Sequence, residues 1–158
     1  MEEDKYKIFK NYINFDKPFD FNEVSKLLDK NILESHIVLK EKLMLHAALD
    51  AVFKIAFVDQ SKNLFFNNLK NHLDNSFNKN KYKSNIMLFL NFITGGQAAE
   101  HEDCTDVYIL SLFGETMYII EDNKFIVSPG DLLFIKKGIL HRAIGLSPRI
   151  VASYGIYY

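Results

Sequence analysis

The chain has no tryptophan, one cysteine, three prolines and seven glycines in 158 residues. A lone cysteine, Cys104, excludes an intramolecular disulfide. No apolar run approaches the ~18 residues that a membrane-spanning helix requires. Neither sign of charge dominates: 19 Lys and Arg stand against 20 Asp and Glu, for a formal net charge of −1. Overall charge therefore gives no indication of a nucleic-acid surface. The opening MEEDKYKIFK lacks the apolar stretch of a signal peptide, so the expected location is cytoplasmic, with no membrane partner.

What the sequence has in quantity is apolar and aromatic side chains: 48% of residues are hydrophobic, with 14 Phe and 8 Tyr. That is enough for a proper core, and the length predicts one domain over 1–158. The apolar pattern changes period along the chain. Residues 1–85 read as mainly helical and 86–158 as strands, which makes the expected fold class α+β. DFNE at 20–23 forms a capping box for a helix over about 21–30. EKLMLHAALDAVFKIAF at 41–57 suits a longer helix, and HIVLK at 36–40 a strand at the sheet edge. Leu64, Phe65, Leu69, Leu73 and Phe77 recur at helical spacing, with Ser61 as candidate cap. NKNKYKSN at 78–85 is polar and reads as a connecting loop.

From residue 86 the runs IMLFLNFI, DVYILSLF, TMYII, KFIV, LLFI, ILHRAI and RIVASYGIYY are bounded by Gly, Pro and charged turn residues. Short strands at this spacing predict an antiparallel sandwich or barrel. EDNK at 121–124 is the turn of a hairpin, and PGD at 129–131 is a turn with Pro in second position.

One constellation stands out. His101 and Asp103 are two residues apart, just ahead of the apolar run at Val107–Leu110. In an extended segment such a pair points to one face. His141 follows PGDLLFIKKG, which turns the chain and sends a strand back across the sheet. A barrel brings it beside the first pair. Two imidazoles and a carboxylate on one side of a metal make a facial triad, which leaves coordination positions open and favours non-haem Fe(II). His36, His46 and His72 read as helix-face or core residues, and Cys104 as a small residue near the barrel mouth.

HEDCTDVYILSLFG and SPGDLLFIKKGILH carry a resemblance to the Fe(II)- and 2-oxoglutarate-dependent oxygenases of the JmjC/cupin-like branch, over about residues 86–158. The resemblance implies a double-stranded β-helix, a cupin-like jelly roll, preceded by a helical N-terminal segment packed on the barrel. Such helices brace the sheet in that family and can carry a homodimer interface. It implies metal ligation by His101, Asp103 and His141, 2-oxoglutarate as cosubstrate, and hydroxylation as the reaction. The substrate class it leaves open is a small molecule, a peptide side chain or a modified base.

The far carboxylate of 2-oxoglutarate needs a cation or several donors. The branch often places Lys or Arg two residues after the glycine that closes the strand behind H-x-D; here that position is Thr116, which can donate one hydrogen bond but no charge. A hydroxyl that the family sometimes carries three residues before the first ligand is also missing, at Ala98. Arg149, at the start of the last strand, matches the place where the prolyl-hydroxylase-like branch holds its carboxylate-binding cation. Lys136 and Lys137 have a weaker claim. Two other readings stay open: a metal-dependent cupin enzyme that does not use 2-oxoglutarate, and a non-catalytic cupin-like binding module.

Overall fold

The computed structural model describes residues 4–15, 19, 22, 53–55, 58–60, 63–79, 81–95 and 99–158. Strands β1 (Tyr6–Phe9) and β2 (Phe53–Ile55) precede helix α1 (Leu64–Leu73), which runs on into a π-helical turn at Asp74–Asn78. The remaining strands are β3 (Lys83–Asn91), β4 (Asp106–Phe113), β5 (Thr116–Ile120), β6 (Asn123–Val127), β7 (Leu132–Ile135), β8 (His141–Gly145) and β9 (Arg149–Tyr157). They form a six-stranded sheet, β1-β7-β4-β9-β3-β2, and a three-stranded sheet, β6-β5-β8, with antiparallel pairing throughout.

The larger sheet is buried on both faces, so its strands read as almost unbroken apolar runs. On its outer face Ile86, Leu88 and Leu90 of β3 join Leu110 and Leu112 of β4 and Ile150, Ala152, Tyr154 and Ile156 of β9. Phe66, Leu69 and Leu73, the buried stripe of α1, close over them. On its inner face Val107, Ile109, Leu133, Ile135 and Val151 meet Tyr118, Ile120 and Ala143 of the smaller sheet. Period-two alternation assigns these two sets to opposite faces.

Asp74 fastens α1 to the sheet. Its carboxylate is 4% exposed and accepts hydrogen bonds from Lys70 (2.5 Å), Ser84 (2.6 Å), Tyr154 (2.6 Å) and Asn78 (3.2 Å). Burial alone would raise its pKa, but the four donors together outweigh that and hold it at about 2. Strand β1 stitches the two sheets along one side. Lys5 pairs with Glu121 (2.9 Å), the Asn123 amide donates to the Tyr6 hydroxyl (2.8 Å), and Lys10 donates to the Ile126 carbonyl (2.9 Å).

Several expectations need correction. Phe53–Ile55, assigned above to a helix over 41–57, is an edge strand paired with Leu88–Leu90. Pairing along β3 decides against helix for these three residues, and the rest of 41–57 lies outside the described residues. Tyr6–Phe9, within the part read as mainly helical, is likewise a strand, paired with β7. Strand β3 starts at Lys83, inside the expected loop. The hairpin turn is Glu121-Asp122, with Ile120 paired to Asn123 and Glu121 at φ 52°. The helix is capped by Asn63, whose side chain accepts from the Phe65 amide (2.9 Å); Ser61 lies outside the described residues. So do the strand expected at 36–40 and, apart from Asn22, the helix expected at 21–30. Among the described residues no helix is long and apolar enough to cross a membrane.

Two outcomes follow for stability. The folded pKa of Asp74 lies below its ordinary 3.8, so its contribution is present above that value and disappears as pH falls towards 2. Urea unfolding should show Asp74→Asn to be about 2 kcal/mol less stable than wild type at pH 7, with the gap closing near pH 2; a gap of equal size at both pH values would refute this. Gly114, between β4 and β5, sits at φ +69°, and an added Cβ would stand 2.0 Å from the Pro148 carbonyl oxygen. Gly114→Ala should cost well over the about 1–2 kcal/mol of the left-handed backbone alone. Gly95→Ala, at φ +84° with open space around the added Cβ, should cost only that conformational amount. Equal losses in the two variants would dispose of the steric argument.

Candidate metal centre

Strand β8 begins at His141, and there the edge not paired with β5 is met by a bridge to His101. The His101 amide donates to the His141 carbonyl (3.0 Å), and the His141 amide donates to the His101 carbonyl (2.9 Å). This bridge puts the imidazoles side by side, with ring centroids 4.5 Å apart. Asp103 comes back to the same point. His101 Nε2 lies 3.9 Å from Asp103 Oδ1, and His141 Nε2 lies 3.6 Å from Asp103 Oδ2. One ligand atom from each of the three falls within 4.8 Å of the others.

The hydrogen bonds of the two rings determine what faces inward. His101 Nδ1 is 2.7 Å from the Ala99 carbonyl oxygen, and His141 Nδ1 is 2.9 Å from that of Ile139. A carbonyl only accepts, so each Nδ1 carries a proton and each ring turns its Nε2 toward Asp103. Two ring nitrogens and a carboxylate thus converge, separated by distances too long for hydrogen bonds. A metal ion between them would be held by all three, and carbonyl-anchored imidazoles are the usual outer support of metal-ligating histidines. His141 is 3% exposed, the Asp103 side chain 33% and the His101 side chain 44%, so the centre opens to solvent on the His101 side.

A cavity of about 100 Å³ runs inward from the triad, between Phe89, Ile109, Val151 and Ser153 of the larger sheet and Tyr118 and Ala143 of the smaller. Arg149 closes its far end, almost fully buried. The guanidinium lies against Gly145, where an added Cβ would come within 3.4 Å of Nη1. Burial draws the Arg149 pKa down, and the neighbouring Tyr118 opposes that. Tyr118 stands between the two ends. Burial pushes its pKa up to about 12, with Arg149 working against the rise and Asp103 adding to it.

The structure thus brings His101, Asp103, His141 and Arg149 to one cavity. Thr116 lies beside the far end, on β5 opposite Gly145, and does not form the cavity wall. Its hydroxyl is buried with no hydrogen-bond partner among the described residues. Lys136 and Lys137 occupy the turn after β7, and Cys104 is exposed. His72 lies on α1 against Tyr12 (5.6 Å), away from the centre; His36, His46 and Ala98 are outside the described residues. Tyr118 is the cavity residue that the sequence reading passed over. The signal was there: in TMYII it shares a face with Thr116, two positions earlier.

No protein-family model matches the sequence, and no curated protein matches it. Solved structures do match the fold. The ribosomal oxygenase YcfD of Escherichia coli, in complex with cobalt and 2-oxoglutarate, aligns with a TM-score of 0.69 at 17% identity, over 97% of this chain and 48% of that one. The chain therefore spans about half the length of that protein. A cupin superfamily protein from Desulfitobacterium hafniense, DSY2733, aligns with a TM-score of 0.50 at 21% identity, over 75% of this chain and 93% of that one. The conserved protein SPY1581 of unknown function from Streptococcus pyogenes aligns with a TM-score of 0.50 at 14% identity, over 69% and 76%. At these identities the likeness is one of fold, and the fold is a cupin-like jelly roll, a double-stranded β-helix with α1 packed on its larger sheet.

Proposed function

We propose that the chain is an Fe(II)- and 2-oxoglutarate-dependent oxygenase, with His101, Asp103 and His141 as metal ligands. The observation that carries this reading is one small cavity with three convergent lone-pair donors at its mouth and a buried guanidinium at its end. A small dicarboxylate with an oxo-acid end is complementary to both. The likeness to an oxygenase solved with cobalt and 2-oxoglutarate supports it.

Each residue then has a task. The imidazoles and Asp103 hold the ion on one side and leave its other positions open. With the oxo acid and oxygen, a bound Fe(II) supplies the oxidising power for hydroxylation. Arg149 pairs with the distal carboxylate, and the unpartnered Thr116 hydroxyl is placed to donate a hydrogen bond at the same end. The Tyr118 hydroxyl stays protonated and can donate as well. Phe89, Ile109, Val151 and Ala143 keep water from the length of the cosubstrate. Since the cavity holds one small acid and little more, the group to be oxidised approaches from solvent past His101. That approach suits a peptide side chain or a base as well as a small molecule. A cupin enzyme without 2-oxoglutarate would use the same triad; the charge of Arg149 at the cavity's end argues against it.

Anaerobic protein loaded with Fe(II) should gain a visible charge-transfer band on titration with 2-oxoglutarate. Arg149→Ala should raise the half-saturating concentration about thirtyfold or more, the loss expected when one partner of a buried charge pair is removed. Thr116→Val should raise it about tenfold, and Lys136→Ala should leave it unchanged. A band that never forms, or one indifferent to Arg149, would overturn the assignment of the cosubstrate.

A further inference from the structure

The ligands reach the centre on two segments that the sheets hold only loosely. Residues 101–105 lie ahead of β4 and touch the smaller sheet through the single bridge at His101. Residues 136–140 form the connection from β7 to β8. Asp106, the first residue of β4, stands between them. One of its carboxylate oxygens accepts from the Lys137 amide at 2.9 Å, and the other accepts from the Tyr158 hydroxyl. Three residues back, the Asp103 carbonyl accepts from the Gly138 amide at 2.9 Å. Tyr158 is held in turn, with its ring edge-on to Tyr82 at 4.7 Å and Lys137 Nζ 5.6 Å from its centroid. The opposite end of the connection is tied to β1, where the Lys136 amide donates to the Lys5 carbonyl at 2.9 Å.

We propose that Asp106 is a positioning residue that sets the spacing between the His101/Asp103 pair and His141. A carboxylate is suited to this because it offers two acceptor atoms at a fixed angle to donors on two different segments. The Lys137 amide ties it to the connection that delivers His141, and the Tyr158 hydroxyl pins it from the end of β9. Without it, among the described residues, the segment ahead of β4 keeps the Asp103–Gly138 bond and the His101 bridge to hold it in register with the third ligand. The consequence for metal binding rests on the function proposed above; the clasp itself does not.

The test uses the whole chain in two measurements. In metal-free protein, amide exchange of His101 and His141 reports the bridge directly. Asp106→Ala should speed both about tenfold and leave Tyr118, on the neighbouring strand, unchanged. Titration with Co(II) should then show about a tenfold weaker Kd for the same variant, the scale typical of supports behind metal ligands. Asp106→Asn can still accept from Lys137 and can donate to Tyr158, so it should stay within about threefold of wild type in both measurements. Tyr158→Phe, which leaves the backbone bond in place, should fall between the two. Wild-type exchange at His101 and His141 in Asp106→Ala, or equal acceleration at Tyr118, would overturn the proposal. If wild type itself binds no Co(II), the metal-centre reading fails, and the exchange rates still decide the clasp.

Discussion

The register of β9 is the constraint on which the rest depends. It pairs along its whole length with β3 and along most of it with β4, apart from an irregularity between Ser111 and Phe113. Its two faces have opposite tasks. Ile150, Ala152, Tyr154 and Ile156 form the packing surface for α1, while Arg149, Val151 and Ser153 line the cavity. A slip of one residue would exchange these sets, putting a guanidinium under the helix and an isoleucine at the end of the cavity. The greasy outer core therefore does more than stabilise. Any other register would strand a charge there, so the core also fixes which side chains face inward.

Within that frame the centre is an electrostatic problem posed by the backbone. The Ala99 and Ile139 carbonyls fix a proton on Nδ1 of each histidine, which turns each Nε2 toward the Asp103 carboxylate. The barrel wall keeps His141 from turning toward solvent, since it is 3% exposed. The other end of the cavity carries the buried Arg149 guanidinium beside the Thr116 hydroxyl, which has no hydrogen-bond partner among the described residues. Opposite charges are thus held apart along β8, with Ala143 between His141 and Gly145, where small side chains leave room for a ligand to connect them.

Much of this was legible in the sequence, for physical reasons that differ from one part to another. The strands from β3 to β9 could be read because a sheet buried on both faces writes long apolar runs, and Gly114 and Pro129-Gly130-Asp131 mark the turns between them. H-x-D and the later histidine could be paired because a returning strand brings them to one end. Edge strands β1 and β2 were not legible: they are four and three residues long, and each is defined by the partner it joins. Arg149 was set ahead of Lys136 and Lys137 by the family resemblance, not by a local pattern. What faces the guanidinium inward is the pairing of Asn91 with Arg149, which no local pattern encodes. The imidazoles' partners are backbone carbonyls, which leave no trace in residue identity.

The two seams between the sheets are not alike. Along one, Lys5, Tyr6 and Lys10 join β1 to β6 and its turn through three side-chain contacts, backed by the Tyr6–Phe125 ring pair. Along the other, among the described residues, β8 is met by the His101 bridge and by a bond from the Gly95 amide to the Gly145 carbonyl. The first seam is therefore made by side chains and the second by backbone groups beside the candidate metal ligands, so a single substitution reaches the first more directly than the second.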